Sequence, residues 1–513
     1  MEYLVVMEVS QKQKYIFKTN RLAENIGASI LIRDITEVLP ERMAEETAEQ
    51  TKAAQKLILK GGGKCVYAFS EESCAYEFVK RMSRRILEEY PGVELFMASF
   101  AYCEKKEFIV EAMLELYDRL EKKKAGRESV FRLYDLGIAR QCVSTQLPAV
   151  GVSDRGEFIS AEVQTKLRAA KERQNELFSE LLPQTEGKKI RFANEFTELG
   201  GTQGSKNYLA VAVIDGNKMG KKIKHFREEF CKKHTWVDEK FNSAYKEEIF
   251  RLSQEIDHGY KEAVKETIAK LFKNLERLVK EGTVSGKTDE DGTVVLPLRP
   301  LILAGDDICF VSDARIGTAL AKDMLSNIEK IRIESLGNIK MCAAAGITMV
   351  KVTYPFFRAH ELAEELCHSA KTLLEEKEEA SVLDFHVAQG EIEGSLSEIR
   401  REKYNKGTLT SKPFYLHENE RGCSIAVFEE HMEVLRSGAV GRSTLREYRS
   451  ALSAGEIAAR QFVSEKRMAD RIKEYLGRDM PESYRQGRCI DFDVLEMLDL
   501  YHVLEGKNEN LPG

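Results

Sequence analysis

The chain has 513 residues, of which 43% are hydrophobic and 32% are charged, and its formal net charge is −6. A chain of this length is expected to form roughly three or four domains rather than one. The nearly balanced charge excludes a strongly basic nucleic-acid groove across the whole molecule and leaves only a local basic face open.

The N-terminus and the cysteines indicate the compartment. The chain runs directly into a strand-like segment, residues 3–9, without a basic leader. No apolar run approaches the ~20 residues of a membrane span. The ten cysteines form no Cys-x-x-Cys pair, which argues against a zinc ribbon. We therefore expect a cytoplasmic protein with reduced thiols and no membrane partner.

The first region, residues 1–110, has the element pattern of a ferredoxin-like domain. A strand over residues 2–10 is followed by helical patterns, a Gly-rich hairpin at Gly61-Gly-Gly63-Lys64, a further helix and a strand over residues 93–100. The order β-α-β-β-α-β is that of a ferredoxin-like palm. Residues 111–205 are mostly helical in pattern, with an irregular segment from Cys142 to Pro148.

A second region, residues 206–392, repeats that order. Its first strand covers residues 207–215, its hairpin is Ala304-Gly-Asp306-Asp307, and a later strand covers residues 339–346. A long amphipathic stretch over residues 242–280 precedes the hairpin, and beyond residue 395 only helix-like patterns follow. The sequence predicts an α+β protein with two ferredoxin-like palm domains, at 1–110 and 206–392, and two helical domains, at 111–205 and 393–513.

The hairpin of the second region carries two adjacent acids, Asp306 and Asp307. Adjacent carboxylates repel each other and are costly to hold together without a cation beside them. The first strand of a ferredoxin-like domain lies beside the hairpin, so Asp215, at the end of that strand, is expected next to both. Three carboxylates can hold Mg²⁺ or Mn²⁺ against a triphosphate. The alternative is an ordinary acidic turn, because Gly and Asp favour turns for conformational reasons alone.

Phosphate-binding residues are predicted around the acids. The turn Gly216-Asn217-Lys218-Met219-Gly220 follows the first strand and opens a helix, so its backbone N–H groups can face phosphate oxygens, together with Gly305 of the hairpin. Lys371, at the end of a helix with a buried stripe, is the best candidate cation for a triphosphate. Composition alone also fits a solvent-exposed lysine favoured by the helix C-terminus.

The first hairpin lacks the acids of the second. Aligning the two regions places Ser10, Gly63 and Lys64 at the positions of the three acids, so the first region cannot hold the same metals. A Gly-rich hairpin with a lysine can still receive a nucleotide, because glycine permits close backbone approach. The other interpretation is a purely structural copy.

These motifs resemble the large subunit of type III CRISPR effector complexes, the Cas-ten family with two palm domains. The matches span nearly the first 390 residues in the family's order, and the tail matches only as a helical domain. The matching segments are Gln11-Lys-Gln-Lys-Tyr-Ile-Phe17, Thr19-Asn-Arg-Leu, Gly27-Ala-Ser29, Gly61-Gly-Gly63, Cys142 with Leu147-Pro148-Ala149, Asp215-Gly-Asn-Lys-Met-Gly220, Ala304-Gly-Asp-Asp307, the helix at 360–371 and the strand at 381–386.

The resemblance implies that the two palms are of the nucleotidyl-cyclase or polymerase kind. It implies a nucleotidyltransferase that joins ATP units into cyclic oligoadenylate second messengers in antiviral defence and releases pyrophosphate. Asp306 and Asp307 match the family's Gly-Gly-Asp-Asp acids, and Asp215 matches its first-strand metal ligand. The implied partners are the other subunits of a type III CRISPR ribonucleoprotein with its guide RNA and target RNA. The first palm is implied to bind a second ATP, at Gly62, Gly63 and Asn20.

The chain departs from the family pattern in several ways. It starts directly at the first palm, so DNA cleavage by an N-terminal His-Asp nuclease domain is not implied, and a zinc-binding cysteine cluster is absent. Ala304 replaces the first glycine of the hairpin motif without removing a charge. Asn217 stands where a further acid often follows, which affects the expected strength of metal binding.

Two other functions fit the same residues. One is a catalytically silent scaffold subunit of an RNA-guided complex, whose palms bind nucleotides or proteins without turnover. The other is a stand-alone signalling synthase that makes a different cyclic nucleotide, because base choice depends on pocket contacts that the sequence does not reveal. Clustered repulsive charge argues against a pure scaffold.

Overall fold

Two β-sheets and the helices around them form the core of the protein. A computed structural model describes residues 1–126, 137–200, 207–233, 239–376, 378–388, 394–405 and 408–506. The larger sheets have four and six strands, and helices connect most of their strands, which confirms the predicted mixed α+β class. The domain boundaries expected at 205/206 and 392/393 lie outside the described residues.

The first sheet is antiparallel and has the strand order β2-β3-β1-β4. Consecutive residues from Leu4 to Met7 in its inner strand are at most 1% exposed, so both faces of that strand are covered. The strands are β1 (Glu2–Ser10), β2 (Gln55–Gly61), β3 (Lys64–Phe69) and β4 (Glu94–Tyr102). The helices are α1 (Lys12–Phe17), α2 (Leu22–Arg33), α3 (Leu39–Thr51), α4 (Glu72–Glu89) and α5 (Ile109–Ala125), with a π-helical turn at Asp34–Val38.

A short mixed segment follows the first sheet. Gly27 fixes its contact with α2, because an added Cβ would lie 1.9 Å from the carbonyl oxygen of Lys166 on the facing helix. Only a residue without a side chain allows these two backbones to approach so closely. The elements are β5 (Gly151–Val152), β6 (Phe158–Ile159), α6 (Ala161–Arg173), a 3₁₀ turn at Ser179–Leu181, β7 (Ile190–Phe192) and α7 (Phe196–Leu199).

The second sheet has the strand order β11-β12-β8-β15-β16-β17, so its first four strands repeat the connectivity of the first sheet. β15 pairs with β16 in parallel. The strands of this region are β8 (Tyr208–Gly216), β9 (Lys287–Thr288), β10 (Val294–Leu296), β11 (Leu298–Ala304), β12 (Asp307–Asp313), β13 (Arg332–Ile333), β14 (Ile339–Lys340), β15 (Ala343–Lys351) and β16 (Val382–Val387). The helices are α8 (Met219–Lys233), α9 (Glu239–Lys280), α10 (Ala314–Ile328) and α11 (Phe356–Thr372), with a 3₁₀ turn at Glu334–Leu336.

The C-terminal part is mainly helical but also completes the second sheet. Phe414 and Tyr415 pair with β16, so the expectation of helices alone beyond residue 395 is wrong. Two apolar residues are enough to extend a sheet edge, and this run is too short for periodicity to reveal. The elements are α12 (Leu396–Lys403), β17 (Phe414–Tyr415), α13 (Ile425–Arg436), α14 (Arg442–Ser453), α15 (Glu456–Glu465), α16 (Met468–Leu476), β18 (Tyr484–Arg485), β19 (Arg488–Cys489) and α17 (Ile490–Met497). No helix in the described ranges is long and apolar enough to cross a membrane.

Helices α1 and α11 bring the regions around the two sheets together. The ring of Phe17 stacks on His360 with centroids 3.8 Å apart and also contacts Phe356 at 5.9 Å. The Oδ1 atom of Asn20 accepts a hydrogen bond from the backbone N–H of Phe356 over 2.9 Å, at the start of α11. Asn20, expected at a nucleotide, therefore holds the N-terminus of the helix that carries Lys371.

His360 makes this contact dependent on pH. Burial lowers the pKa of its imidazole from 6.5 to about 3, so the folded protein holds it neutral while the unfolded chain protonates it below pH 6.5. Stability is therefore lost as pH falls from 6.5 towards 3, by about 3 kcal/mol at pH 4. We expect His360→Phe, which keeps an aromatic ring on Phe17, to lose less stability between pH 7 and pH 4 than the parent in urea denaturation. An equal loss in both proteins would contradict this contribution.

Candidate functional site

The two hairpins differ in turn type, which explains their different residues. Each has a two-residue turn, closed by the pairs Gly61–Lys64 and Ala304–Asp307. In the first, both Gly62 and Gly63 have positive φ, 61° and 83°, as a type I′ turn requires. In the second, only Gly305 has positive φ, 65°, as in a type II′ turn. The second turn can therefore hold Asp306 where the first needs a glycine.

Asp215 and Asp307 face each other directly across neighbouring strands, β8 and β12. Like charges at such a position destabilise a sheet unless they are neutralised. The Nζ atom of Lys371 lies 2.5 Å from Oδ2 of Asp215, and the Nζ atom of Lys12 lies 3.0 Å from Oδ2 of Asp307. Burial raises the pKa of Asp215, and the charge of Asp307 raises it further. The ammonium of Lys371 opposes this shift without cancelling it. The predicted neighbours are thus adjacent and each has a cation.

Asp306 lies on a different side of the strand end. A Cβ built on Gly216 would lie 2.8 Å from its Oδ2 atom and 2.7 Å from the hydroxyl of Tyr260. Successive residues of a strand direct their side chains to opposite faces. Gly216 follows Asp215, so a Cβ on Gly216, and the Asp306 carboxylate near it, lie on the face opposite to the Asp215 side chain. Burial, with the charges of Asp307 and Asp215, raises the pKa of Asp306 to about 6.

Tyr260 on α9 is a site residue that lies in the predicted amphipathic stretch over residues 242–280 and has no predicted role. Its hydroxyl is fully buried and has no hydrogen-bond partner within the described ranges. Burial and the negative charges of Asp306 and Asp215 raise its pKa well above 10, so it stays a neutral donor. Tyr260 therefore places a neutral O–H donor near the carboxylate of Asp306.

The acids do not converge on one point. Within the described part of the chain, no three His, Cys, Asp or Glu side chains form a group that could hold a metal ion as they stand. The positive charges near the acids are instead the ammonium groups of Lys12 and Lys371. Carboxylate oxygens are nevertheless the ligands that Mg²⁺ prefers. The carboxylates are chemically suited to a hard divalent cation, which could bind only after the ammonium groups of Lys12 and Lys371 move away from them.

The turn after Asp215 is held by its own hydrogen bonds. The backbone N–H of Asn217 donates to the carbonyl of Cys342 over 2.8 Å, and its Nδ2 donates to the carbonyl of Ala380 over 2.9 Å. The ammonium of Lys218 donates to the carbonyl of Glu378 over 2.6 Å. Met219 begins α8, and an added Cβ on Gly220 would meet no atom within 4 Å. These side chains brace the segment after α11, and their predicted contact with a nucleotide stays a prediction.

The register corrects one part of the alignment between the hairpins. Lys64 pairs with Glu8 as Asp307 pairs with Asp215, so the counterpart of Asp215 is Glu8 and not Ser10. The Nζ atom of Lys64 lies 3.1 Å from Oε2 of Glu8. An ion pair in the first sheet therefore occupies the position of two like charges in the second.

Lys12 is the main residue that sequence reasoning missed. It belongs to the Gln11-Lys-Gln-Lys run at the start of α1, which was noted as a motif without a role. Its ammonium also donates to the carbonyl of Gly62 over 3.2 Å. A Cβ built on Gly305 would lie 3.7 Å from the backbone nitrogen of Gly62, so the two turns are neighbours. Lys12 thus joins the first hairpin to the acids of the second.

Comparisons with known proteins find likeness of fold only. No protein-family model and no curated protein matches the sequence. A solved Csm1–Csm4 cassette in complex with cA4 aligns over 97% of this chain and 69% of its own, with 12% identity and a TM-score of 0.50. A Csm1–Csm4 cassette in complex with pppApA aligns over 72% of this chain with 14% identity and a TM-score of 0.42. The chain spans about half, 53%, of the length of that second structure.

Proposed function

We propose that the chain is a metal-dependent nucleotidyltransferase of the type III CRISPR large-subunit kind that converts ATP into cyclic oligoadenylates. The observation that carries the proposal is the pair Asp215 and Asp307, opposed at one sheet edge and neutralised by lysines that come from the regions of both sheets. The fold likeness to a Csm1–Csm4 cassette that binds cA4 supports the same reading. The repeated strand order supports palms at 1–110 and 206–392, with a mixed segment between them and a mainly helical part at 393–513 that adds β17 to the second sheet.

The proposed reaction joins a ribose hydroxyl to the α-phosphorus of ATP. A new P–O bond forms, and the bond between the α-phosphorus and the oxygen that bridges to the β-phosphate breaks. Pyrophosphate leaves with the electron pair, and the hydroxyl proton passes to water. Mg²⁺ or Mn²⁺, held by Asp215, Asp306 and Asp307, would neutralise phosphate charge and lower the pKa of the attacking hydroxyl. Lys371 and Lys12, released from the acids, would contact the triphosphate oxygens.

The first hairpin would receive the second nucleotide. Gly62 and Gly63 have no Cβ and lie beside the second turn, so a nucleotide can approach their backbone closely. Asn20 would act by holding the start of α11, since its side-chain oxygen is already bonded there. The proposed partners are Csm4-like and other subunits of a type III ribonucleoprotein, with guide and target RNA.

A silent scaffold is the second candidate, and one observation favours it. Both facing acids already have lysine partners, and within the described residues the carboxylates form no ready metal group. In that case the lysines would keep the acids neutralised permanently. Nucleotides would then bind without turnover.

Product analysis separates these functions. The protein, alone and with its partner subunits, guide RNA and target RNA, is incubated with all four ribonucleoside triphosphates and Mg²⁺ or Mn²⁺. Mass spectrometry is expected to find cyclic oligoadenylates and pyrophosphate. Products with another base would indicate a different synthase, and ATP binding without product under every condition would indicate a scaffold.

Lys12→Met tests the lysine that reaches across from α1. We expect a loss of roughly 10²-fold in product formation, because a positioned charge at the reacting phosphates is removed. The matched control is Lys14→Met on the same short helix, since Lys14 is exposed. Initial rates at saturating ATP check this. Equal rates for the two variants would contradict a role for Lys12.

A further inference from the structure

A second concave site lies where the last turn of α11 meets the C-terminal part. The cavity has a volume of about 570 Å³ and ten lining residues. Four of these are basic, four carry hydroxyl groups and none is acidic. The basic residues come from separate segments, namely α12, the loop before β17 and the β18–β19 hairpin: Arg400, Arg401, Lys412 and Arg488.

Two of these cations are already used by the fold. The guanidinium of Arg400 lies 2.5 Å from Oδ1 of Asp384 and donates to Thr410 over 3.1 Å. The ammonium of Lys412 is fully buried, 3.1 Å from Oε2 of Glu496. Asp384 and Glu496 thus neutralise Arg400 and Lys412. These two residues contribute to the shape of the pocket and add little net charge to it.

The other two cations remain available to a ligand. The side chain of Arg401 is 62% exposed, and its only ion pair within the described ranges is with Glu402, itself 69% exposed. Such an exposed pair contributes little and separates easily. The side chain of Arg488 is exposed and makes no hydrogen bond or ion pair with any described residue. Two of the arginines that line the cavity therefore have no buried counter-charge.

We propose that this pocket binds phosphodiester-linked ribonucleotides. Guanidinium groups bind phosphate in a bidentate way, and the hydroxyl of Ser397 adds a donor when Ser395 donates to it. Leu373 and Pro413 supply apolar surface for a sugar or base. The volume lies in the range of nucleotide-sized ligands and is too large for a lone phosphate. The negative end of the α11 dipole disfavours an anion at this site. The positive charges of Arg401 and Arg488 together would have to outweigh that effect.

The pocket also connects to the candidate catalytic site. Ser369 and Thr372 line it and flank Lys371 on the last turn of α11. A ligand in the pocket would therefore contact the helical turn whose Lys371 pairs with Asp215. The binding proposal itself does not rest on the nucleotidyltransferase proposal.

The test reverses the two available charges with Arg401→Glu and Arg488→Glu together. Binding of a fluorescein-labelled linear tetra-adenylate is measured by anisotropy in EDTA, in an Asp306→Asn, Asp307→Asn background. We expect affinity to fall at least ~10-fold, and the slope of log affinity against log salt to fall by about 1.4, for two phosphate contacts. Because the background is designed to make no product, the labelled ligand is not consumed, and only a change specific to the Arg401, Arg488 variant reports on the pocket.

The matched control is Arg460→Glu with Arg467→Glu, which changes the net charge equally at exposed positions outside the pocket. Affinity unchanged in the pocket variant, or reduced equally in both variants, would overturn the proposal. Competition by polyglutamate as strong as that by RNA would also overturn it. Stronger competition by a 20-nucleotide RNA than by unlabelled tetra-adenylate would assign the pocket to a polynucleotide, and equal competition would assign it to a short oligonucleotide.

Discussion

Replacing Asp306 and Asp307 together with alanine is expected to abolish formation of any ATP-derived oligonucleotide. Both carboxylates lie at the turn between β11 and β12, and Asp307 faces Asp215 across the sheet. Without them the proposed cation site keeps one carboxylate, which is too few to hold a divalent ion against a triphosphate. We expect a loss on the order of 10³-fold or more in product, measured by mass spectrometry at saturating ATP.

Stability separates a catalytic effect from a structural one. The raised pKa of Asp306 shows that its charge is unfavourable in the folded protein. Removing both acids relieves this cost and the repulsion between Asp307 and Asp215 but breaks the ion pair between Asp307 and Lys12, so stability at pH 7 should change little, in contrast to activity. The control is Asp470→Ala with Asp479→Ala, two exposed acids of the C-terminal part. Full product formation by the Asp306, Asp307 variant would sink the nucleotidyltransferase proposal, and a large fall in its stability would remove the discrimination on which the test depends.

Local patterns in the sequence predicted the elements that bear the site. The apolar strand that ends at Asp215 and the Gly-containing hairpin with two acids both have strong local signals, because strand burial and turn chemistry act over a few residues. Asp215 was expected beside the hairpin from the β-α-β-β-α-β order alone, and it pairs with Asp307. That neighbour relation follows from topology and needs no side-chain detail.

Register was harder to predict than strand order. The counterpart of Asp215 was placed at Ser10 and is Glu8, two residues earlier in β1. Side chains alternate with a period of two, so a shift of two residues keeps every side chain on its face. The apolar pattern of β1 is nearly continuous, so it does not indicate which residue of β1 is opposite Lys64. Only the pairing with Lys64 fixes the position.

Side-chain contacts that do not follow from the strand order could not be predicted. Lys12 and Asp307 are 295 positions apart, and no periodicity relates a lysine at the start of a short helix to a turn in another sheet. Tyr260 lies in the predicted amphipathic stretch over residues 242–280, yet nothing in that pattern places its hydroxyl near Asp306. Such residues can be assigned to the site only from the three-dimensional structure, which places these distant segments side by side.

Gly346→Ala is expected to destabilise the protein and to impair the site from a distance. Gly346 lies in β15 beneath α11, and an added Cβ would lie 2.1 Å from the carbonyl oxygen of Ala363 and 2.2 Å from the backbone nitrogen of Cys367. Both atoms belong to the helix backbone, so rotation of a side chain cannot relieve the clash and α11 must move. Overpacking of this kind costs about 1–3 kcal/mol, and we expect the upper end.

The same movement should reduce activity, because α11 holds Lys371 against Asp215. A displacement of about 1 Å at a catalytic group can cost roughly 10²-fold in rate. Urea denaturation and initial rates at saturating ATP check both effects. The control is Gly441→Ala, where φ is −68° and no heavy atom lies within 4 Å of the added Cβ, so stability should change by less than about 0.5 kcal/mol. If Gly346→Ala were as stable and as active as Gly441→Ala, the close packing of α11 on β15 would not be what positions Lys371.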